Sequence, residues 1–165
     1  MRIVIIGNGV AGITCALTAR QRDADADITV IGGETDYFFS RTALMYAYMD
    51  RLNRRDIEPY ERSVYARQRI ELVRDWVVDH DAAHRSLTTE GGTALRYDRL
   101  VYATGAAPNR FPWDGVDAVR DGLVHFVSMQ DLDACERLTP STRQAVVVGG
   151  GLIGIELVEC LVHHG

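Results

Sequence analysis

The sequence contains no lysine, and all 18 of its basic residues are arginine. Lysine Schiff-base and lysine general-base chemistry are therefore excluded. The 23 acidic residues outnumber the arginines and give a formal net charge of -5. Because no broad basic surface is indicated, we expect no nucleic-acid partner.

Cysteine is also scarce: Cys15, Cys135 and Cys160 are far apart and form no CxxC pair. The N-terminus shows no signal-peptide layout, since Met1 leads straight into a hydrophobic run. These features predict a reduced, cytoplasmic compartment. The five histidines show no spacing with partner residues that suits a metal ion, so we expect no metal site.

Long uninterrupted hydrophobic segments are missing as well. The most apolar long stretch, residues 145–162, contains three consecutive glycines and two glutamates. It therefore fails as a transmembrane span, which needs about 20 mostly apolar residues. With 165 residues of which 47% are hydrophobic, the chain has the composition of a soluble globular domain that can bury a core.

The first thirty residues have the pattern of a strand, a helix and a second strand. Residues 2–6 form a near-continuous run of β-branched residues, which is typical of a parallel strand covered on both faces. A glycine turn and a helix over 10–22 follow, and a second strand is predicted over 28–32. We expect these elements to form a right-handed βαβ unit.

Further elements are predicted from periodicity and turn residues. Apolar residues at helical spacing predict a helix over 42–52, and short runs between polar turns predict an antiparallel excursion near 70–95. The strand over 100–104 is expected to return to the main sheet. Near the end of the sequence, a strand over 145–148 and a second glycine turn are expected to precede another helix.

The first glycine motif has the spacing GxGxxG directly after a predicted strand. Gly7 permits the tight turn, Gly9 lets backbone N–H groups approach a pyrophosphate, and Gly12 lets helix and strand pack closely. Glu34 follows about 20 positions later, where an acidic residue accepts hydrogen bonds from a ribose. The alternative is a tight glycine turn with a solvated glutamate, which this context disfavours.

The second glycine motif repeats the spacing with Gly149, Gly151 and Gly154. A complete nucleotide pocket also needs a following strand with an acidic or basic residue about 20 positions on. Residues 145–165 therefore do not complete a pocket by themselves, and we expect the chain to be the front part of a longer protein.

The predicted fold class is α/β. We expect a doubly wound, Rossmann-like parallel sheet with a small antiparallel insertion, followed by the first strand and helix of a second Rossmann-like domain. The expected domains are 1–140 and 141–165, the second of them truncated.

Four segments together carry a family resemblance: IVIIGNGVAG, ITVIGGE, YDRLVYATGAAP and VVVGGGLIGIE. In this order they resemble the FAD- and NAD(P)-dependent oxidoreductases of the pyridine nucleotide-disulfide oxidoreductase superfamily. The resemblance implies that FAD is bound by the first glycine motif and NAD(P)H by the second. The residues implied for FAD are Gly7, Gly9, Ala11, Gly12, Glu34, Arg41, Val77, Ala103, Thr104 and Gly105. Those implied for NAD(P)H are Gly149, Gly151 and Gly154.

The branch of the superfamily is indicated by the segment YFFSRTALMYAYMD. It lacks the cysteines that the disulfide reductases carry there, and Cys15 is more readily a buried structural thiol than a redox centre. The segment resembles the ferredoxin reductase and nitrite reductase branch, where Arg41 would reach FAD. The alternative is that Arg41 is a solvated surface arginine with no contact to FAD. For the backbone contact to adenine, Val77 and Val78 compete.

One departure from that branch concerns a lysine that often pairs with the glutamate of the second glycine motif. Glu156 matches this glutamate, but Tyr46 or a neighbour stands where the lysine is expected. A catalytic role of Glu156 is therefore left open. Tyr46 and Tyr48 are candidates to border the isoalloxazine, although aromatic residues at helical spacing more often belong to the core.

The resemblance implies a flavoenzyme in which NAD(P)H gives a hydride to the flavin and electrons pass to an iron–sulfur protein, a quinone or oxygen, without a redox-active disulfide. The residues present are expected to be inactive by themselves. The alternative is a flavin-binding protein whose redox state controls assembly and which turns over little. The residues present do not decide whether the full-length protein is a homo-oligomer, whether it uses NADH or NADPH, or which acceptor it reduces.

Overall fold

The computed structural model describes residues 1–109, 111–119 and 121–165. They form two compact units. The first unit consists of Met1–Ser40 with Glu58–Ala106, and the second unit consists of Arg41–Ile57 with Ala107–Gly165. Within this described part, every helix is too short or too polar to cross a membrane.

All strands among the described residues lie in the first unit. They are β1 (Arg2–Ile6), β2 (Asp27–Ile31), β3 (Ile70–Val73), β4 (Val77–Asp81), β5 (Ser86–Thr89), β6 (Ala94–Arg96) and β7 (Arg99–Tyr102). The helices are α1 (Val10–Arg22), α2 (Leu44–Tyr48), α3 (Ser63–Arg67), α4 (Met129–Leu138) and α5 (Leu152–His164). Of these, α1 and α3 belong to the first unit and the others to the second.

The main sheet is parallel and has the strand order β3-β2-β1-β7. On one face, Ile5 and Val30 pack with Ile13 and Ala16 of α1. On the other face, Val4 of β1 belongs to a buried cluster with Leu87 of β5 and Tyr97, which follows β6. Both faces of β1 are thus covered, which is why an uninterrupted apolar run forms this strand. The predicted α/β class with its parallel sheet is confirmed.

The antiparallel sheet consists of β4, β5 and β6 in that order. The expectation of an antiparallel segment near 70–95 is therefore wrong for its first residues. Residues Ile70–Val73 pair parallel with β2, with Ile28 opposite Ile70. Ile70 is buried in the core of the main sheet. This burial favours the pairing of Ile70–Val73 with the parallel sheet. The antiparallel sheet begins only at Val77.

The helix expected over 42–52 is shorter in the structure. One turn of 3-10 helix at Arg41–Ala43 leads into α2, which ends at Tyr48. Asp50 has a φ of 55°, and this left-handed backbone conformation does not continue an α-helix. Leu44 and Tyr48 are buried as their spacing suggests, whereas Leu52 lies beyond the helix and is exposed.

The strand expected over 145–148 is not formed. These four residues pair with no strand among the residues that the structure describes, and Val146 and Val148 are exposed. A parallel strand depends on a neighbouring strand for its backbone hydrogen bonds. The helix expected after it is present as α5.

Arg20 of α1 is buried, with only 8% of its surface exposed. Its guanidinium donates hydrogen bonds to backbone carbonyls: Nε to Gln68 at 2.7 Å, Nη1 to Ala24 at 2.7 Å and Nη2 to Arg69 at 2.9 Å. The arginine therefore ties the end of α1 to the residues that precede β3. Sequence reasoning missed this role because arginine is usually exposed, although Arg20 continues the helical spacing of the buried Gly12 and Ala16.

Candidate functional site

The first glycine motif forms a turn in which two glycines are required by close contacts. Gly7 has a φ of +113°, and a Cβ added to it would lie 2.1 Å from the carbonyl oxygen of Ala103. A Cβ on Gly12 would lie 1.8 Å from the carbonyl oxygen of Gly7. Any side chain at either position would therefore displace backbone.

Gly9 differs from these two glycines because space is open around it. A Cβ added there meets nothing within 4 Å among the described residues. Gly9 is also the N-cap of α1, a helix of 13 residues with no acidic side chain in its first turn. The first N–H groups of a helix have no intrahelical acceptor and carry the positive end of the helix dipole. The open turn at Gly9 thus fits a pyrophosphate.

Glu34 lies beyond the end of β2, on a segment that is fastened to this turn. The side-chain amide of Asn8 donates to the carbonyl of Thr35 at 2.8 Å, and the N–H of Gly32 donates to the carbonyl of Val73 at 3.0 Å. Glu34 itself is partly exposed. The structure therefore keeps Glu34 in the same unit as the glycine turn, and the residue that follows it, Thr35, is hydrogen-bonded to that turn. Sequence reasoning missed Asn8, a variable position within GxGxxG.

The segment Ala103–Gly105 follows β7 and lies against the same turn. The N–H of Ala103 donates to the carbonyl of Ile6 at 2.8 Å, and the Ala103 carbonyl faces Gly7 as described above. Gly105 has a φ of +72° and open space around it among the described residues. The ends of β1, β2 and β7 thus meet at one edge of the sheet, as parallel strands dictate.

Val77, the first residue of β4, packs against the core cluster that contains Val4 and Ile31. Its neighbour Val78 is 62% exposed. Which of the two presents its backbone to adenine stays a prediction. Trp76, directly before them, was not singled out in the sequence; its ring lies against Gly33.

The second glycine motif has nearly the same local geometry as the first. Gly149 has a φ of +115°, and a Cβ on Gly154 would lie 2.0 Å from the carbonyl oxygen of Gly149. The N-cap Gly151 has φ -78° and ψ -179°, against -77° and -172° at Gly9. Helix α5 also has 13 residues and no acidic side chain in its first turn. The chain therefore builds the same glycine turn at a helix N-terminus twice, once in each unit.

The other residues implied by the resemblance, Arg41 and Glu156, lie in the second unit. Arg41 is exposed, and its guanidinium donates a hydrogen bond to the carbonyl of Val127. Glu156 is partly exposed on α5. For both residues, the implied contact with the flavin stays a prediction.

The aromatic pair on α2 divides into one core residue and one exposed residue. Tyr48 is buried, hydrogen-bonds the hydroxyl of Thr139 and packs on Phe126 with ring centroids 5.7 Å apart. Burial raises the pKa of its hydroxyl. Tyr46 is exposed. The core interpretation thus holds for Tyr48.

The three cysteines are all free. Burial raises the pKa of the Cys135 and Cys160 thiols to about 11. Cys15 is partly buried on α1 and packs against the core of the first unit. Since the thiolate is the reactive form, Cys135 and Cys160 are poor nucleophiles near neutral pH. Within residues 1–109, 111–119 and 121–165, no group of three His, Cys, Asp or Glu side chains is placed to hold a metal ion.

The fold and its paired glycine turns define a dinucleotide-binding protein of the doubly wound α/β class. The family model of the pyridine nucleotide-disulphide oxidoreductases matches residues 1–165. The chain belongs to this family. Members of the family use FAD and NAD(P)H.

Individual relatives agree with this membership. The chain is 32% identical over 169 residues to the 5,5'-dehydrodivanillate O-demethylase ferredoxin reductase subunit of Sphingobium sp., covering 98% of this chain and 39% of that protein. It is 28% identical over 166 residues to the assimilatory nitrate reductase electron transfer subunit of Bacillus subtilis, covering 99% of this chain and 21% of that protein.

Among solved structures, the covalent putidaredoxin reductase–putidaredoxin complex matches with a TM-score of 0.85 and 26% identity. The match covers 99% of this chain and 40% of that chain. The chain thus spans about two fifths or less of the length of the proteins named here.

Proposed function

We propose that residues 1–140 form the FAD-binding domain of an NAD(P)H-dependent flavoprotein oxidoreductase, and that residues 141–165 open its NAD(P)-binding domain. The observation that carries this proposal is the repeated turn. Gly7 with Gly12, and Gly149 with Gly154, make the same close contact in front of a helix N-terminus. Two such turns are what a protein needs to bind two dinucleotides.

For FAD, the proposed roles follow from the edge of the parallel sheet. The N–H groups at the start of α1, including that of Ala11, bind the pyrophosphate. The carboxylate of Glu34 accepts a hydrogen bond from the ribose. Ala103, Thr104 and Gly105 border the flavin, and Arg41 contributes a fixed guanidinium to its phosphates or ribose.

The remaining contacts involve adenine and the second nucleotide. The backbone of Val77 contacts the adenine, and the turn of Gly149, Gly151 and Gly154 holds the pyrophosphate of NAD(P)H. When bound, FAD supplies a redox centre that takes electrons from NAD(P)H and passes them to an acceptor. The protein's part is to bind the two nucleotides through its two glycine turns.

The acceptor proposed first is an iron–sulfur protein, because the Sphingobium relative is a ferredoxin reductase subunit; a quinone or oxygen are the alternatives. We also propose that no disulfide takes part. High thiol pKa values at Cys135 and Cys160 support this, as does the absence of cysteine from residues 37–50.

The first test is flavin binding by the purified chain. We expect added FAD to remain bound after desalting, with the visible absorption bands of a flavin. Loss of these bands on desalting, both from this chain and from the protein as its own cell makes it, would contradict the proposed FAD site. In the protein as its own cell makes it, anaerobic NADH or NADPH should bleach the bound flavin and support turnover with a ferredoxin. Bleaching without turnover would instead favour a redox-sensing flavoprotein.

A further inference from the structure

Trp76 is an exposed aromatic residue beside the proposed ribose contact. It lies between β3 and β4, and 56% of its surface is exposed. A large ring in this state offers apolar area that a flat ligand can cover. Its position is specific, because it lies next to Gly33, the residue directly before Glu34 in the chain.

The indole lies with its face on the backbone of Gly33. A Cβ added to Gly33 would come within 2.2 Å of Cε2, 2.3 Å of Cδ2 and 2.5 Å of Nε1 of Trp76. Because these three distances are nearly equal, the added carbon would stand over the five-membered ring and not beside its edge. One face of the indole is therefore covered by Gly33, and the exposed area belongs to the rest of the ring system.

The backbone of Trp76 is held from both sides. The carboxylate of Asp75 accepts hydrogen bonds from the N–H of Trp76 at 2.8 Å and from the N–H of Gly91 at 3.2 Å. The carbonyl of Trp76 accepts a hydrogen bond from the N–H of Glu90 at 2.8 Å. The backbone of Trp76 is thus anchored to the turn between β5 and β6.

We propose that the indole of Trp76 stacks on the adenine of the bound FAD. The inference rests on the proposed function and adds a residue to it. The ribose that Glu34 binds is joined directly to the adenine, so the base must lie within a few ångströms of this carboxylate. Trp76 provides a flat, uncharged and anchored surface there. Aromatic side chains bind bases in this way through the π-face that every base has.

The test uses ADP as the probe, because it carries the adenine without the flavin. In the Trp113→Phe variant, Trp76 is the only tryptophan of the chain. Titration with ADP should quench or shift its fluorescence in a saturable manner. Trp76→Ala should weaken the binding of both ADP and FAD about tenfold, as expected for loss of one stacked base, and Trp76→Phe should restore most of the affinity.

The matched control is Trp113→Ala, which removes another exposed tryptophan, 51% exposed, from the second unit. It should leave both affinities unchanged. Unchanged ADP and FAD affinity in a folded Trp76→Ala variant would overturn the stacking proposal alone. An equal loss in Trp76→Phe with no ADP-dependent fluorescence change would also overturn it, since it would mean a purely structural role. Failure of both the unchanged chain and the protein as its own cell makes it to bind FAD or ADP would overturn the proposed function as well.

Discussion

Gly12 packs so closely on Gly7 that a Cβ added to Gly12 would lie 1.8 Å from the Gly7 carbonyl oxygen. Gly154 has the same relationship to Gly149, at 2.0 Å. The third glycine of each motif is therefore needed by the fold before any ligand is considered. Gly9, by contrast, has no close neighbour among the described residues, and its proposed role is to leave room for the pyrophosphate that approaches the turn.

This contrast predicts opposite results for two alanine variants. Gly12→Ala should destabilise the protein by about 3 kcal/mol, because backbone must move to make room for the methyl group. Gly9→Ala should cost about 1 kcal/mol, the size of an N-cap effect, while the methyl group obstructs the pyrophosphate. Urea unfolding and FAD titration measure the two effects. A Gly9→Ala variant that binds FAD normally would contradict the prediction.

The carboxylate of Glu34 is expected to contribute to FAD affinity and little to folding. Glu34→Gln keeps the shape but loses the charge, so FAD affinity should fall about tenfold, in keeping with a hydrogen bond to a charged group. Calorimetric titration with FAD provides the measurement. The exposed Asp36, two residues further along the same loop, offers a matched control as Asp36→Asn. Equal losses in both variants would argue against a specific ribose contact.

Arg20 should be one of the more sensitive charged positions for stability. Arg20→Ala leaves several backbone carbonyls without their donor and opens space beside α1, so we expect a loss of about 3 kcal/mol. Arg20→Lys should recover only part of this, because an ammonium group does not reproduce the guanidinium fork. Arg22→Ala, at an exposed position of the same helix, should have little effect. Urea unfolding distinguishes the three variants.

The thiols are predicted to differ in reactivity. With pKa values of about 11, Cys135 and Cys160 should be about one part in a thousand thiolate at pH 8. A thiol reagent should therefore label the folded chain slowly at these positions and label all three cysteines rapidly in denaturant. Mass spectrometry of the labelled peptides locates each reaction. Rapid labelling of either buried thiol in the folded chain would contradict the structure.

Asp75 is expected to make stability depend on pH in the acid range. Its hydrogen bond with Thr89, and those with the N–H groups of Trp76 and Gly91, lower its pKa in the folded chain. A lowered folded pKa stabilises the protein above the unfolded pKa of about 3.9, and this contribution is lost as the pH falls through the folded value. Asp75→Asn should flatten that part of the stability profile. Urea midpoints measured across the acid range test this, and an unchanged slope would contradict it.

Much of the first unit could be predicted from the sequence. Helix α1 and strand β1 have the predicted bounds, because a near-continuous β-branched run and a GxGxxG motif are local signals. The parallel sheet followed from the same pattern. What could not be predicted was the partner of Ile70–Val73, since a short apolar run is compatible with either sheet until its burial is known.

The second unit shows where local signals fail. Residues 145–148 have the composition of a buried strand, but strand formation needs a neighbouring strand, and none pairs with them in the part of the chain that is described. The helix expected over 42–52 ends at Tyr48 because of the left-handed Asp50. Periodicity alone contains no information about that conformation.

The sequence by itself determined the α/β class, both glycine turns and the acidic residue after β2, because each depends on neighbours in the chain. Only the tertiary structure decided that Gly7 faces Ala103, that Arg20 is buried among carbonyls and that Trp76 lies on Gly33. These contacts join residues that are distant in sequence. They are set by packing density and by the need of buried polar groups for partners, which no local pattern encodes.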